Sequence, residues 1–344
     1  MRQLEAPPAD LAPFDTLCGA ATGPIGIAVS GGGDSLALLH LANDWARDRG
    51  RQLAAFTFDH GLRPESRSEA QGVADACARL GVDHAILDWA TPEGRQAPAR
   101  RARHAALAEA IRARGGAMLL MGHTADDQAE TFLMRARRGS TWYGLAAMQA
   151  QALSPVWPEG HGVRIGRPLL SARRADLRAL LRARGVHWVD DPSNQNPAFE
   201  RVRVRRLLDA SPRLAARVRH CLEGVTQVRA IEDGLTGKWL RTRVRMDADG
   251  RIEADIAGLE PECVARRAGL LIQVAAGRDA RPRWDKLQLI AHRLCADRAF
   301  AGATLGGSRI KRRGKTVVFT AEYESDPLAG KRLDALRNLL SGKP

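Results

Sequence analysis

Along the first 140 or so residues, short apolar runs alternate with longer segments whose apolar positions recur at helical spacing. Residues 24–30 (PIGIAVS) read as a buried strand, and residues 35–48 as a helix with Leu36, Leu39 and Leu41 near one face. Residues 52–58 (QLAAFTF) are a second strand, and Ser66–Leu80 a helix opened by a capping box of Ser66 and Glu69. A third strand follows at 82–89, an Ala- and Arg-rich helix at 98–114, a fourth strand at 117–121 and a further helix at 126–137. Four strand–helix units in succession predict a doubly wound parallel sheet, whose ligands bind at the carboxyl ends of the strands. Past Gly139 the pattern loosens. Residues 163–165 are a candidate fifth strand, 172–184 a short basic helix, and 190–194 (DDPSN) a turn-rich break. From Glu200 the helices are strongly basic, and residues 245–260 and 301–323 read as short strands with turns. The expected layout is a catalytic α/β domain over residues 1–200, then a basic helical and smaller α+β region over residues 201–344.

Charge adds a partner to this picture. Lys+Arg number 53 against 39 Asp+Glu, a net charge of +14, and most of the basic residues are arginine. Arginine pairs with phosphate through two parallel hydrogen bonds, so the balance points to a polyanion such as nucleic acid. A genome rich in arginine codons explains Arg over Lys but not basic over acidic. The five cysteines, Cys18, Cys77, Cys221, Cys263 and Cys295, are scattered and form no CxxC, which argues against a zinc ribbon or a redox dithiol. They fit reduced thiols in a cytoplasm. No apolar run is long enough to span a bilayer, and the first residues carry no export signal, so a membrane is not expected.

The strongest local signal is Ser30-Gly31-Gly32-Gly33-Asp34-Ser35, directly after the first strand and before a helix. Three glycines let the backbone turn and approach a ligand closely, and the helix that follows offers N–H groups and a positive dipole end. The two hydroxyls add donors, so the loop suits a phosphate group and has room for a whole diphosphate. It is neither a dinucleotide fingerprint, since Leu36 holds the third glycine position, nor a Walker loop. The sole GKT, Gly314-Lys315-Thr316, precedes an apolar VVF run and reads as a hairpin turn. Asp126 and Glu130, four apart on a helix, share a face with Asp127 beside them, and such carboxylates can hold an ammonium group or accept its proton. Capping of a helix start is the plainer role for these acids. Asp34 suits a Mg²⁺ ion beside a phosphate chain and also a helix N-cap. Arg100 is a candidate for phosphates or developing charge, and His123 for a nucleotide or base. The stretch Arg201, Arg203, Arg205, Arg206, Arg213, Arg217 and Arg219 reads either as a nucleic-acid backbone track or as a solvated basic helix.

SGGxDS in this position resembles the loop of the PP-loop ATP pyrophosphatases. Asp59-His60-Gly61-Leu62-Arg63-Pro64 after strand two and residues 122–131 (GHTADDQAET) after strand four are similar to those of the tRNA(Ile)-lysidine synthases. Further matches are Gln96, Ala99, Arg100 and Arg103, then Arg138-Gly139-Ser140, Arg167-Pro168-Leu169-Leu170, Asp191-Pro192-Ser193-Asn194 and Thr304-Leu305-Gly306-Gly307. His104 stands where the family commonly has tyrosine, and Arg95 near a common asparagine. The resemblance implies a PP-loop (HUP-like) domain joined by helices to a small α+β domain. It implies two reaction steps: ATP adenylates the wobble cytidine of a tRNA(Ile) with a CAU anticodon, and free L-lysine then displaces AMP. Ser30, Gly31, Gly32, Gly33, Asp34 and Ser35 would bind ATP, Asp34 would hold Mg²⁺, and Asp34, Arg100, His123, Asp126, Asp127 and Glu130 would be catalytic. A homodimer is one assembly considered. Competing readings are another PP-loop tRNA enzyme such as a 2-thiocytidine synthase, a small-molecule ligase of the same superfamily, and a tRNA binder without catalysis.

Overall fold

The computed structural model describes residues 10–61, 66–89, 96–190, 196–296 and 300–342. The expectations placed on Leu62, Arg63 and Pro64, on Arg95, and on residues 191–194 lie outside them. The chain forms two compact units, residues 1–152 with 163–230, and residues 153–162 with 231–344.

The first unit is built on helix α1 (Ala12–Cys18), strand β1 (Ile25–Ala28), α2 (Gly33–Arg49), β2 (Leu53–Asp59), α3 (Ser66–Leu80), β3 (Asp83–Asp88), α4 (Gln96–Ala113), β4 (Met118–Met121) and α5 (Ala125–Arg137). The short α6 (Trp142–Leu145), strands β5 (Gln151–Leu153) and β6 (Arg164–Gly166), and helices α7 (Arg174–Ala183) and α8 (Glu200–Ala210) follow. Helix α9 (Pro212–Thr242) carries the chain from this unit into the next. The sheet order is β3-β2-β1-β4-β6-β5, and β1–β2, β2–β3, β1–β4 and β4–β6 are all parallel. The predicted doubly wound sheet is present, and the candidate fifth strand appears as β6, with β5 a three-residue strand the apolar pattern does not announce. Helices α1, α2, α3 and α7 close one core around Phe14, Leu38, Leu39, Trp45, Val73 and Leu181. Helix α4 closes a second core with Leu107 and Ile111 against Phe56 and Leu119. Both faces being covered explains why β1 and β4 are buried at every position.

From β1 the chain builds outward to β2 and β3, then crosses to β4 on the other side of β1. The carboxyl ends of β1 and β4 therefore lie at the switch point, where such sheets leave a crevice for ligands. The 30–35 loop follows β1, and Gly122-His123 follows β4.

The second unit pairs β7 (Val244–Met246), β8 (Ile252–Asp255), β9 (Ala303–Leu305), β10 (Ser308–Arg313) and β11 (Thr316–Ala321) in the order β7-β8-β11-β10-β9, with neighbouring strands antiparallel throughout. Helices α10 (Pro261–Ala275), α11 (Trp284–Ala296) and α12 (Ala329–Leu339) cover a core that includes Leu271, Ile272, Ile310 and Phe319. Gly306 and Gly307, both at positive φ (61° and 83°), make the two-residue turn between β9 and β10. Gly314 and Lys315 join β10 to β11, so the GKT is the hairpin its context predicts. The segment 153–162 belongs to this unit through Trp157, whose backbone N–H donates to Asp279 Oδ1 at 2.6 Å. Its indole N–H donates to Asp326, and the Arg332 guanidinium lies 4.6 Å from its ring.

Candidate active site

The 30–35 loop is held by its own hydroxyls. Ser35 Oγ donates to the Gly32 carbonyl (2.9 Å) and accepts from the Ser30 N–H (3.1 Å), and the two serine oxygens stand 3.2 Å apart. Gly31 sits at φ +82°, a left-handed conformation that a side chain strains. The Val189 N–H donates to the Gly31 carbonyl at 3.1 Å, fastening the loop from the opposite side. Gly32 is the N-cap of α2, so Asp34 is not the N-cap the sequence allows for but lies in the first helical turn. A carboxylate there gains from the helix dipole while projecting beside any phosphate at the helix end.

Helix α5 begins with a capping box: Thr124 Oγ1 accepts from the Asp127 N–H (3.3 Å), and Asp127 Oδ2 accepts from the Thr124 N–H (2.9 Å). Asp127 thus has the capping role, and its other oxygen remains for a second partner. That partner is Arg174, at the start of α7, a residue sequence reasoning did not single out. Its Nη2 donates to Asp127 Oδ1 (3.1 Å), its Nη1 to Glu130 Oε1 (3.4 Å) and its Nε to Asp34 Oδ2 (3.1 Å). Its backbone N–H donates to Asp126 Oδ2 at 2.7 Å. One arginine therefore gathers four of the predicted site acids from two separate segments. Three carboxylates this close would repel one another without it. Burial works against the Arg174 charge, yet Asp127, Glu130 and Asp34 outweigh burial and raise its pKa above the ordinary value.

Glu130 is 1% exposed and accepts from Arg205 as well, at 2.7 Å through Nε and 3.4 Å through Nη2, with Arg201 Nε at 3.6 Å. Two arginines of the supposed surface track thus turn inward onto an acid, and a third, Arg203, donates to the carbonyls of Pro197 and Ala198. Asp34 differs from its neighbours. Its Oδ1 is buried without a hydrogen-bond partner. Burial raises its pKa, and the Arg174 charge only partly offsets that.

No hydrogen bond or ion pair among the described residues joins Arg100 or His123 to these acids; the charges of Arg100, Arg103 and Arg167 bear instead on His104 and His123, and Asp127 also bears on His123. Burial and then Arg100, Arg103 and Arg167 push His104 down to about 3. Burial and then Arg167 hold His123 at about 4, with Asp127 opposing. Both rings are therefore neutral near pH 7. Among the described residues, no set of three or more His, Cys, Asp or Glu side chains is arranged to hold a metal ion, since the acids converge on Arg174 instead. No helix among them is long and apolar enough to cross a membrane.

A family model described as a PP-loop domain, an ATP-binding one, matches residues 13–211. The chain is 52% identical over 93% of its length to a tRNA(Ile)-lysidine synthase of Hyphomonas neptunium, covering 88% of that protein. The chain belongs to the tRNA(Ile)-lysidine synthase family. By that membership it is an enzyme, a ligase. Another family member, from Zymomonas mobilis, is 42% identical over 65% of this chain and 68% of its own. A third, from Brucella anthropi, is 38% identical over 83% of this chain and 65% of its own.

Proposed function

We propose that this chain ligates free L-lysine to C2 of the wobble cytidine of tRNA(Ile) with a CAU anticodon, in two ATP-driven steps. In the first, the C2 oxygen of cytidine attacks the α-phosphorus of ATP, the bond to the β-phosphate bridge breaks, and diphosphate leaves. In the second, the lysine ε-amine attacks C2, the bond from C2 to the adenylate oxygen breaks, and AMP leaves with that oxygen. The amine gives up a proton as the new carbon–nitrogen bond forms.

The observation that carries this reading is the Arg174 bridge from Asp34, in the 30–35 loop, to Asp127 at the start of α5. A diphosphate at the loop is served by the α2 N-terminus and by the Ser30 hydroxyl, while the Ser35 hydroxyl, donating to the Gly32 carbonyl, holds the loop in shape. Asp34 Oδ1, buried and unpartnered, fits a hard cation that takes its remaining oxygens from phosphate and water. Asp34 would hold Mg²⁺ there, and the ion would neutralise charge on the triphosphate. The Asp126 and Asp127 carboxylates supply the negative field that attracts a lysine ammonium, and an acid of this group accepts its proton before attack. Glu130 acts by position: it anchors Arg174 and Arg205. A 2-thiocytidine synthase chemistry has no support in the cysteines, which are scattered along the chain and form no CxxC. Burial pushes the Cys18 and Cys77 thiols up to about 12, far from nucleophilic thiolates.

The test is transfer of radiolabelled lysine to a tRNA(Ile) transcript with a CAU anticodon, with and without ATP. ATP-dependent labelling that tRNA(Met) does not support is the expected result. A folded protein that cleaves ATP to AMP yet never labels the transcript would refute the lysine step.

A further inference from the structure

The 30–35 loop is also gripped from outside, by the segment that follows α7. That helix ends in a Schellman motif: Gly185, at φ +66°, donates its N–H to the Arg182 carbonyl (3.0 Å), and the Val186 N–H donates to the Leu181 carbonyl (2.9 Å). Val186 packs on the core that contains Leu181, the apolar contact that accompanies such an ending. The chain is thereby turned back, and residues 186–190 reach the end of β1. There the Val189 N–H donates to the Gly31 carbonyl at 3.1 Å. The Trp188 indole lies against Gly33, where a Cβ would stand 3.4 Å from its Cγ and Cδ1.

Arg174, Arg178 and Arg182 recur every four residues along α7 and share one face. Arg174 binds the acids. The guanidinium carbons of Arg178 and Arg182 each lie 5.8 Å from the Trp188 ring centroid, and Arg178 Nη2 donates to Asp190 Oδ1 at 2.9 Å. The helix face that gathers Asp34 and Asp127 therefore also holds the indole. The need for such a hold lies in the composition of the loop. Consecutive glycines have the largest backbone freedom, and ordering them when a ligand arrives costs affinity. Gly31 answers to its positive φ. Gly33 is already in α2, and the indole stands where a side chain there would press.

We propose that Trp188 is a positioning residue: with the Val189 N–H it holds Gly31 and Gly33 in the shape that receives a diphosphate, and through Arg178 and Arg182 it fastens that shape to the α7 face that presents Arg174. The proposal rests on the reading of the 30–35 loop as the diphosphate site, and it adds a residue outside the loop that sets its affinity. Trp188 acts through the loop, by removing conformations that the unbraced glycines would otherwise occupy.

The experiment titrates the full chain with ATP, with diphosphate and with AMP by calorimetry, in the wild type, Trp188→Leu and Trp188→Phe. Leucine keeps apolar contact with the core but has no flat face for Gly33 or the two guanidinium groups; phenylalanine keeps such a face. In Trp188→Leu, affinity for ATP and for diphosphate should fall by about 10–100-fold, the equivalent of one lost hydrogen bond to a charged group. Affinity for AMP, which has no β- and γ-phosphates, should stay at the wild-type value, and Trp188→Phe should recover most of the loss. A folded Trp188→Leu protein with wild-type affinity for diphosphate overturns the proposal, and so does an equal loss for all three ligands. If Trp188→Leu does not fold, Arg182→Met at its exposed position puts the same question. Diphosphate affinity should then fall by about two- to fivefold relative to AMP, the scale of an exposed cation–π contact, and AMP, itself an anion, controls for the lost charge. An unchanged ratio overturns the proposal. A wild type that takes no diphosphate and binds ATP no better than AMP refutes the reading of the loop and the brace with it. A wild type that prefers ATP, beside a Trp188→Leu protein that prefers it equally, refutes the brace alone.

Discussion

Asp34 gives one carboxylate oxygen to Arg174 and keeps the other buried and bare. Because burial raises its pKa, the folded protein holds the Asp34 proton to higher pH than the unfolded chain does. Its environment therefore favours folding below the ordinary carboxylate pKa, and that contribution is lost as pH rises through the raised value. Asp34→Asn removes the cost of the charge, and the amide oxygen can still accept from Arg174. We expect this variant to be at least as stable as the wild type at pH 7, to within about 1 kcal/mol. Lysine transfer should fall by roughly 10²-fold or more. Denaturant melts at pH 7 beside the labelling assay check both halves, and a markedly destabilised Asp34→Asn would contradict the account. The 30–35 loop and Asp34 were legible in the sequence because the requirements of a phosphate loop are contiguous. Arg174 was not. It meets Asp34 across 140 residues and Asp127 across 47, and in a chain so rich in arginine nothing local marks it out.

At the level of elements, Arg174 locks α7 to the starts of α2 and α5. Arg174→Ala leaves Glu130 with its α8 partners but strips Asp34 of its cation and leaves Asp127 with only its bonds from Thr124, in surroundings where carboxylates are poorly solvated. The expected loss is about 3–5 kcal/mol, with Arg174→Lys intermediate, measured by urea unfolding. Gly122 makes a second junction. A Cβ there would stand 2.9 Å from the Asp34 carbonyl oxygen and 3.1 Å from its carbon, both backbone atoms that cannot swing aside. Gly122→Ala should cost about 1–3 kcal/mol and depress ATP binding, because the end of β4 and the start of α2 must part. Calorimetric titration with ATP and a thermal melt test it together. The helices and strands that form this junction follow from apolar periodicity, and a capping role for the acids of α5 was open in the sequence, but the reciprocal box between Thr124 and Asp127 is read only from the structure. Which way an arginine on α8 faces does not follow. The run from Arg201 onward looks the same in sequence whether it meets phosphate or, as Arg201 and Arg205 do, the buried Glu130.

Across the whole molecule, the least legible feature is the membership of residues 153–162. They sit between strands of the first unit's sheet in sequence yet pack with residues 231–344, because the contacts of Trp157 to Asp279, Asp326 and Arg332 span more than a hundred positions. Trp157→Ala should destabilise the second unit by about 3–5 kcal/mol and leave the first nearly untouched. Hydrogen exchange in the full chain is the measurement: amides of α10 and β11 should lose protection while those of β1 and β4 keep theirs. Uniform loss in both units would mean they unfold as one. The same excursion sets a schedule for the ribosome. Arg332, the last of the Trp157 partners, is synthesised 175 residues after it. At about 5–20 residues per second, the indole waits roughly 9–35 s for its pocket. During that interval a nascent chain carries an indole with no completed pocket to receive it, the kind of exposed apolar surface that makes a partly folded chain prone to aggregate.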